Sequence, residues 1–183
     1  ILICLTAVCL LMGGCGQKKK DMVSKKGFFF DTMISVSIYC ESKEQGEKLL
    51  DEVFAMCGGY ENTFSRTKEE SELYRLNHRT ENEVAVSDDL YALLACAKEY
   101  YDKTDGRFDI SVAPLSDIWD FKSENPKVPD AGQIKKVLEK VDYSLVHLEP
   151  DNTVRFDEQD TMLDLGALAK GYIADRLKEY LVS

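Results

Sequence analysis

The chain has 183 residues, 44% of them hydrophobic and 31% charged. That balance can fill a core and solvate a surface, which excludes a disordered polymer or an integral membrane protein and leaves one compact domain or a piece of a larger one. Lys and Arg number 23 against 33 Asp and Glu, a net charge of −10, so the molecule repels phosphate backbones and nucleic acid is excluded as a partner. With His78 and His147 the only histidines, and no Cys-x-x-Cys pair, a zinc site built on several His or Cys ligands is also excluded. Any metal must be held by oxygen.

Residues 1–12 (ILICLTAVCLLM) carry no charge and one polar side chain, Thr6. The run is shorter than the roughly 20 apolar residues a spanning helix needs and reads as the apolar region of a signal peptide that lacks its basic start. Met12-Gly13-Gly14-Cys15 resembles the lipobox of bacterial lipoproteins, although Leu is commoner than Met at its first place. Residues 1–14 are therefore expected to be a signal peptide, Cys15 the acylated N-terminus, and residues 15–27 a polar tether that includes Gln17-Lys18-Lys19-Lys20-Asp21. This predicts a protein lipid-anchored on the extracytoplasmic face of a bacterial membrane. The alternative, a buried first helix, is opposed by Gly13-Gly14. Outside the cytoplasm disulfides are permitted. Cys40, Cys57 and Cys96 nevertheless sit among apolar neighbours, as small core residues do, with no arranged His/Asp partner for a catalytic thiol.

From Phe28 to Tyr39 the sequence alternates, with Ile34, Val36 and Ile38 on one face, as a half-buried strand does. Ser42 with Gln45 caps a helix whose stripe is Leu50, Val53, Phe54 and Cys57, and Gly58-Gly59 is expected to end it. A second helix opens at Ser87, buries Leu90, Leu94, Ala97 and Tyr101, and stops at Asp105-Gly106. The polar stretch from Asp120 to Pro129 reads as a surface loop. A third helix opens at Asp130 with Gln133 three residues on, showing Ile134, Val137, Leu138 and Val141. Val146 and Leu148 then face Val154 and Phe156 across Pro150-Asp151-Asn152 as a hairpin. A strand over Thr161–Leu165 and a helix over Gly166–Leu181 close the chain. The order is mixed, with an antiparallel hairpin and no regular βαβ alternation, which predicts an α+β fold.

No P-loop and no G-x-G-x-x-G occurs. Three other segments carry candidate chemistry. Thr104-Asp105-Gly106-Arg107-Phe108-Asp109 is a glycine turn leading to Ser111-Val112-Ala113-Pro114-Leu115 and the only Trp, Trp119. Such a turn suits a pocket for a flat heterocycle with a hydroxylated sugar, and equally a helix C-cap followed by a buried loop. Asp164-Leu165-Gly166-Ala167-Leu168-Ala169-Lys170-Gly171-Tyr172 places small residues at a junction into a helix. Backbone can approach closely there, the first helical N–H groups face an anion, and Lys170 adds a full positive charge. Phe64-Ser65-Arg66-Thr67 and Ser71-Glu72-Leu73-Tyr74-Arg75-Leu76-Asn77 form the third segment, for which an ordinary amphipathic turn is the plainer alternative.

Together these segments resemble the ApbE family, the FAD:protein FMN transferases. The lipobox, Asp31-Thr32, Phe64-Ser65 with Ser71-Glu72-Leu73 and Asn77, the 104–109 turn with Pro114-Leu115 and Trp119, and Asp164–Tyr172 with Asp175 stand in that family's order. The resemblance spans residue 28 to the end, as the N-terminal portion of an ApbE-like domain. It implies transfer of FMN from FAD through a phosphoester to a threonine of an electron-transport flavoprotein, with magnesium and with release of AMP. Hydrolysis of FAD to FMN and AMP is the enzymatic alternative, and a lipoprotein that only binds flavin nucleotide is the non-catalytic one. Carried over by position, the nucleotide contacts are Phe30, Thr67, Arg107, Phe108, Asp109, Asp164 and Lys170, with the Ala167 carbonyl on the magnesium. Phe30 stands where the family often has Met, and Thr67 where it often has Tyr. Family members continue for roughly as long again, and that portion is expected to carry the acidic and threonine side chains that complete the metal site.

The implied reaction is an in-line attack of a threonine hydroxyl on the FMN phosphorus. It gathers negative charge on diphosphate oxygens, so it calls for cations and helix N–H groups more than for a covalent nucleophile. In this reading the Asp109 carboxylate holds the nucleotide rather than the fold, because a buried carboxylate without a partner is costly.

Overall fold

A computed structural model of the chain describes residues 20–120 and 123–183. The leader and Cys15 lie outside the described residues. The first two strands, β1 (Asp21–Phe29) and β2 (Thr32–Cys40), form an antiparallel hairpin with Phe29 opposite Thr32. Phe30 and Asp31 turn the corner at φ 51° and 56°, the paired left-handed conformation whose twist suits a two-residue hairpin. Half-buried Ile34, Val36 and Ile38 alternate with exposed Met33, Ser35 and Ser37 as the sequence predicts, but the single strand expected from Phe28 to Tyr39 is broken by this turn, which leaves Phe28 and Phe29 on the opposite arm. The tether does not extend to residue 27, because Asp21–Gly27 are the first arm of this hairpin. Their inward face is masked in the sequence. Val23 is buried, Lys25 pairs with Asp51 at 2.5 Å, and Gly27 makes room for the Phe54 ring, since a Cβ there would stand 2.5 Å from Phe54 Cε1.

Helix α1 (Lys43–Phe64) begins where Ser42 Oγ accepts the Gln45 N–H at 3.3 Å. It does not stop at Gly58-Gly59 but continues to Phe64. Interior glycines cost a helix about 1 kcal/mol each relative to Ala, and aromatic packing beyond them offsets that cost. Tyr60 and Phe64 stack at 5.7 Å, and both meet Tyr172 edge-on, at 6.3 and 5.7 Å. Ser71 caps α2 (Glu72–Asn77), which buries Leu73, Leu76 and Asn77. Strand β3 (Glu83–Ala85) is too short for the sequence pattern to reveal.

Helix α3 (Asp88–Lys103) buries Leu90, Leu93, Leu94 and Ala97, and Gly106, at φ 74°, returns its N–H to the Tyr101 carbonyl at 2.9 Å. The 104–109 turn is thus a helix C-cap. A 3-10 turn over Ile110–Val112 leads into α4 (Ala113–Trp119). Helix α5 (Ala131–Leu138) has the reciprocal Asp130/Gln133 capping box, yet none of its residues is buried. Strands β4 (Val146–Glu149) and β5 (Thr153–Phe156) pair with Val146 opposite Phe156 and Leu148 opposite Val154, as expected, and β3 adds to β5, giving the order β3-β5-β4.

Residues 161–165 are extended with Thr161, Leu163 and Leu165 buried, but they join no sheet. Side chains replace the missing partner strand. Asn77 Nδ2 donates to the Leu163 carbonyl, Asn77 Oδ1 accepts the Leu163 N–H, both at 2.8 Å, and Arg79 Nη1 donates to the Thr161 carbonyl at 2.8 Å. The last helix, α6 (Ala169–Val182), starts three residues later than predicted because Gly166–Leu168 form a turn. One core joins Val53, Phe54, Leu73, Leu94, Val154, Phe156, Leu163 and Ile173. The fold is α+β, and among the described residues no helix is long and apolar enough to cross a membrane.

Candidate functional site

The start of α6, the end of α1 and the β1–β2 turn enclose a cavity of about 200 Å³ lined by Phe30, Phe64, Arg66, Thr67, Asp164 and Lys170, among others. Small-molecule sites usually measure about 300–1,000 Å³, so this space is a subsite, large enough for one part of a nucleotide. Each wall has a local cause. Phe30 is held in its left-handed conformation by its N–H donating to Glu61 Oε1 at 2.7 Å. Thr67 is exposed in a loop secured by Ser71, whose hydroxyl donates to the Ser65 carbonyl and accepts the Tyr74 N–H at 3.1 Å. Asp164 closes a tight turn, its Oδ1 accepting the Gly166 N–H at 2.8 Å. Lys170, exposed one turn into the junction, donates from Nζ to the Gly166 carbonyl at 3.1 Å.

Four of the seven expected nucleotide contacts, Phe30, Thr67, Asp164 and Lys170, therefore share one cavity. Arg107, Phe108 and Asp109 are not among its lining residues. Arg107 is exposed, and Phe108 leans on Tyr100 at 5.8 Å. The Asp109 carboxylate is not short of partners, since Oδ1 accepts the Ser111 N–H at 2.7 Å and the Ser111 hydroxyl at 2.6 Å, and Oδ2 accepts the Tyr143 N–H at 3.0 Å. The premise that a ligand must satisfy it does not hold. Asp109→Asn turns an amide NH2 or a weaker acceptor toward these donors, and the expected loss is about 1–3 kcal/mol of stability. A thermal melt of the ligand-free protein checks this, and an unchanged midpoint would restore a purely ligand-holding role.

Among the described residues no group of three or more His, Cys, Asp or Glu side chains is placed to hold a metal ion. Asp164, the acid nearest the helix start, already spends one oxygen on Gly166 and the other on Arg66. Ala167 is exposed, and its carbonyl is the one ligand assigned to magnesium here. These residues do not by themselves make a magnesium site. Tyr172 is no base either, because burial first and Asp89 next push its phenol up to about 12, and its hydroxyl donates to Asp89 Oδ1 at 3.1 Å.

Sequence reasoning passed over Arg66 and Glu61. Both are charged residues in polar surroundings, and their partners lie too far along the chain for spacing to show.

The geometry defines an α+β protein with a small polar pocket at a turn into a helix, carrying one lysine and one arginine. The model of the ApbE family matches residues 30–183, and the chain belongs to that family. It is 30% identical to a FAD:protein FMN transferase of Treponema pallidum over 189 residues, covering 96% of this chain and 52% of the relative. To one from Klebsiella pneumoniae it is 35% identical over 137 residues, covering 74% and 43%. Among solved structures it resembles the flavin transferase ApbE from Vibrio cholerae, with TM-score 0.81 and 23% identity over 88% of this chain and 53% of that one. It also resembles the ApbE protein of Thermotoga maritima, with TM-score 0.79 and 26% identity over 87% and 52%. The chain spans about half the length of the curated relatives it matches.

Proposed function

We propose that the protein to which this chain belongs transfers FMN from FAD to a threonine of an acceptor flavoprotein of an electron-transport complex, releasing AMP and requiring Mg²⁺. The observation that carries the reading is the convergence of Phe30, Thr67, Asp164 and Lys170 on one cavity at the start of α6. The naming of its curated relatives as FAD:protein FMN transferases supports it. In the reaction the threonine oxygen forms a bond to the FMN phosphorus, the bond from that phosphorus to the AMP phosphate oxygen breaks, and the hydroxyl proton leaves to solvent. Lys170 supplies a full charge to the diphosphate as negative charge builds on the departing AMP, and the first N–H groups of α6 add a partial one. Mg²⁺ is a requirement of the whole protein, and the roles derived for this chain fall to Lys170 and the helix start.

Incubating the full-length protein with FAD, Mg²⁺ and a threonine-bearing flavoprotein tests the reading. Flavin fluorescence that stays on the denatured acceptor, with one AMP released per flavin attached, is the expected result. Free FMN and AMP with an unlabelled acceptor would make the protein a hydrolase. No turnover would leave it a flavin-nucleotide carrier.

We also propose that Cys15 is acylated and holds the protein on the outer face of a membrane. The uncharged leader and the Gly13-Gly14-Cys15 junction support this. Cys15→Ser should move the protein to the soluble fraction on ultracentrifugation of lysed cells; retention in the membrane pellet would sink the anchor.

A further inference from the structure

We propose that Arg66 is the positioning residue of this pocket, the side chain that ties the 64–67 loop and the turn before α6, both in its wall, to the 104–117 segment beside it. The inference rests on the nucleotide-binding reading above. Arg66 lines the cavity and belongs to the 64–67 loop. Its Nη1 donates to Asp117 Oδ1 at 2.7 Å, on α4, which continues the segment that carries Arg107, Phe108 and Asp109. Its Nε pairs with Asp164 Oδ2 at 3.0 Å, in the turn before α6. The Arg66 and Asp164 side chains retain 23% and 25% of their exposure, so this link is partly shielded and less dissipated than a surface ion pair.

The arrangement suits a guanidinium and no other side chain. Its planar fork presents several donors in fixed directions, so Nε and Nη1 serve two carboxylates at once, whereas an ammonium is a point charge on a flexible stem. Arg66 is itself anchored, because Ser65 Oγ accepts the Lys68 N–H at 3.2 Å and the Ser71 hydroxyl holds the Ser65 carbonyl. With Oδ2 fixed by Arg66, Asp164 Oδ1 is left facing the Gly166 N–H, and the Asp164 N–H donates to the Ile110 carbonyl at 2.7 Å. Gly166 in turn supplies the carbonyl that receives Lys170 Nζ. A continuous chain of bonds thus runs from Asp117 through Arg66 and Asp164 to Lys170. Losing Arg66 frees the Asp164 turn and with it the lysine's anchor.

Two measurements on the full-length protein test this. Hydrogen exchange of the ligand-free protein reads the turn directly. Arg66→Met should accelerate exchange across residues 164–168, and Arg66→Lys should do so nearly as much, because the charge survives and the fork does not. Titration with FAD should show Kd rising roughly tenfold for Arg66→Met, as displacement of a positioning group predicts. Asp117→Asn should give a smaller rise, and the double variant should be no weaker than Arg66→Met alone, because both act through one link. Unchanged exchange in Arg66→Met would overturn the proposal, as would full recovery of FAD affinity in Arg66→Lys, which would make Arg66 a direct charge on the ligand. Failure of the wild-type protein to bind FAD would instead remove the nucleotide reading, and the exchange comparison would still decide the role of Arg66 in the turn.

Discussion

Lys170→Met is expected to lower kcat/KM for flavin transfer by roughly 30-fold to 1,000-fold, about 2–4 kcal/mol of transition-state stabilisation. Methionine keeps most of the side-chain bulk and removes the charge. The helix start alone supplies only about 0.3–1 kcal/mol toward an anion, less than a diphosphate demands as its leaving oxygen gains charge. Lys170 is exposed and donates to the Gly166 carbonyl at 3.1 Å, a single surface bond among the described residues, so the fold has little need of it. The substitution should therefore separate activity from stability, with a thermal midpoint close to that of the wild type. The assay is flavin transfer by the full-length protein at saturating Mg²⁺. Activity within threefold of wild type would place Lys170 on a merely solvated helix face.

Asn77→Ala should have the opposite profile, a large loss of stability that carries the site with it. Asn77 is 7% exposed, and its amide answers both backbone groups of Leu163, which is itself completely buried. Alanine leaves a buried N–H and a buried carbonyl without partners, each costing about 1–3 kcal/mol, so a total of about 2–6 kcal/mol is expected. For a protein of this size that lowers the thermal midpoint by roughly 5–15 °C. Circular dichroism on heating measures the shift, and a drop of under about 2 °C would mean that water replaces the amide. Because Leu163 adjoins Asp164, FAD affinity should fall in the same variant even below its melting point.

The two predictions also mark what the sequence makes legible. The α+β class, the α3 and α5 caps, the β4–β5 register and the candidate phosphate turn rest on short-range signals: alternation, cap residues and small residues at a junction. Where the reading failed, a distant partner decided the outcome. Gly58-Gly59 reads as a stop until Tyr172 is brought against Tyr60 and Phe64. Residues 21–27 read as polar because Lys25 and Gly27 face inward for reasons that lie on α1, Asp51 for one and the Phe54 ring for the other. Residues 161–165 read as a strand from the sequence but join no sheet, because their partners are side chains, which no ladder pattern encodes. Asp109 looked available to a ligand because the Tyr143 N–H that meets it lies 34 residues on, whereas the Ser111 bonds, two residues away, form a short cap within the reach of spacing. Arg66 was hidden in the same way, as a charge in a polar loop whose carboxylates arrive from two other segments.

The side-chain clasp on residues 161–163 sets a schedule for making the molecule. Asn77 and Leu163 are 86 residues apart, and Arg79 and Thr161 are 82 apart, so these bonds close long loops, and their entropic cost falls due before any stabilisation returns. Helices α1 and α3 satisfy their own backbones locally and can form early, whereas the pocket waits for a late and distant closure. On the ribosome Asn77 and Arg79 emerge well before Thr161 and Leu163 exist to receive them. During that interval the face of α2 that ends as core stands open to water, and the pocket cannot close until residues 161–164 have been made.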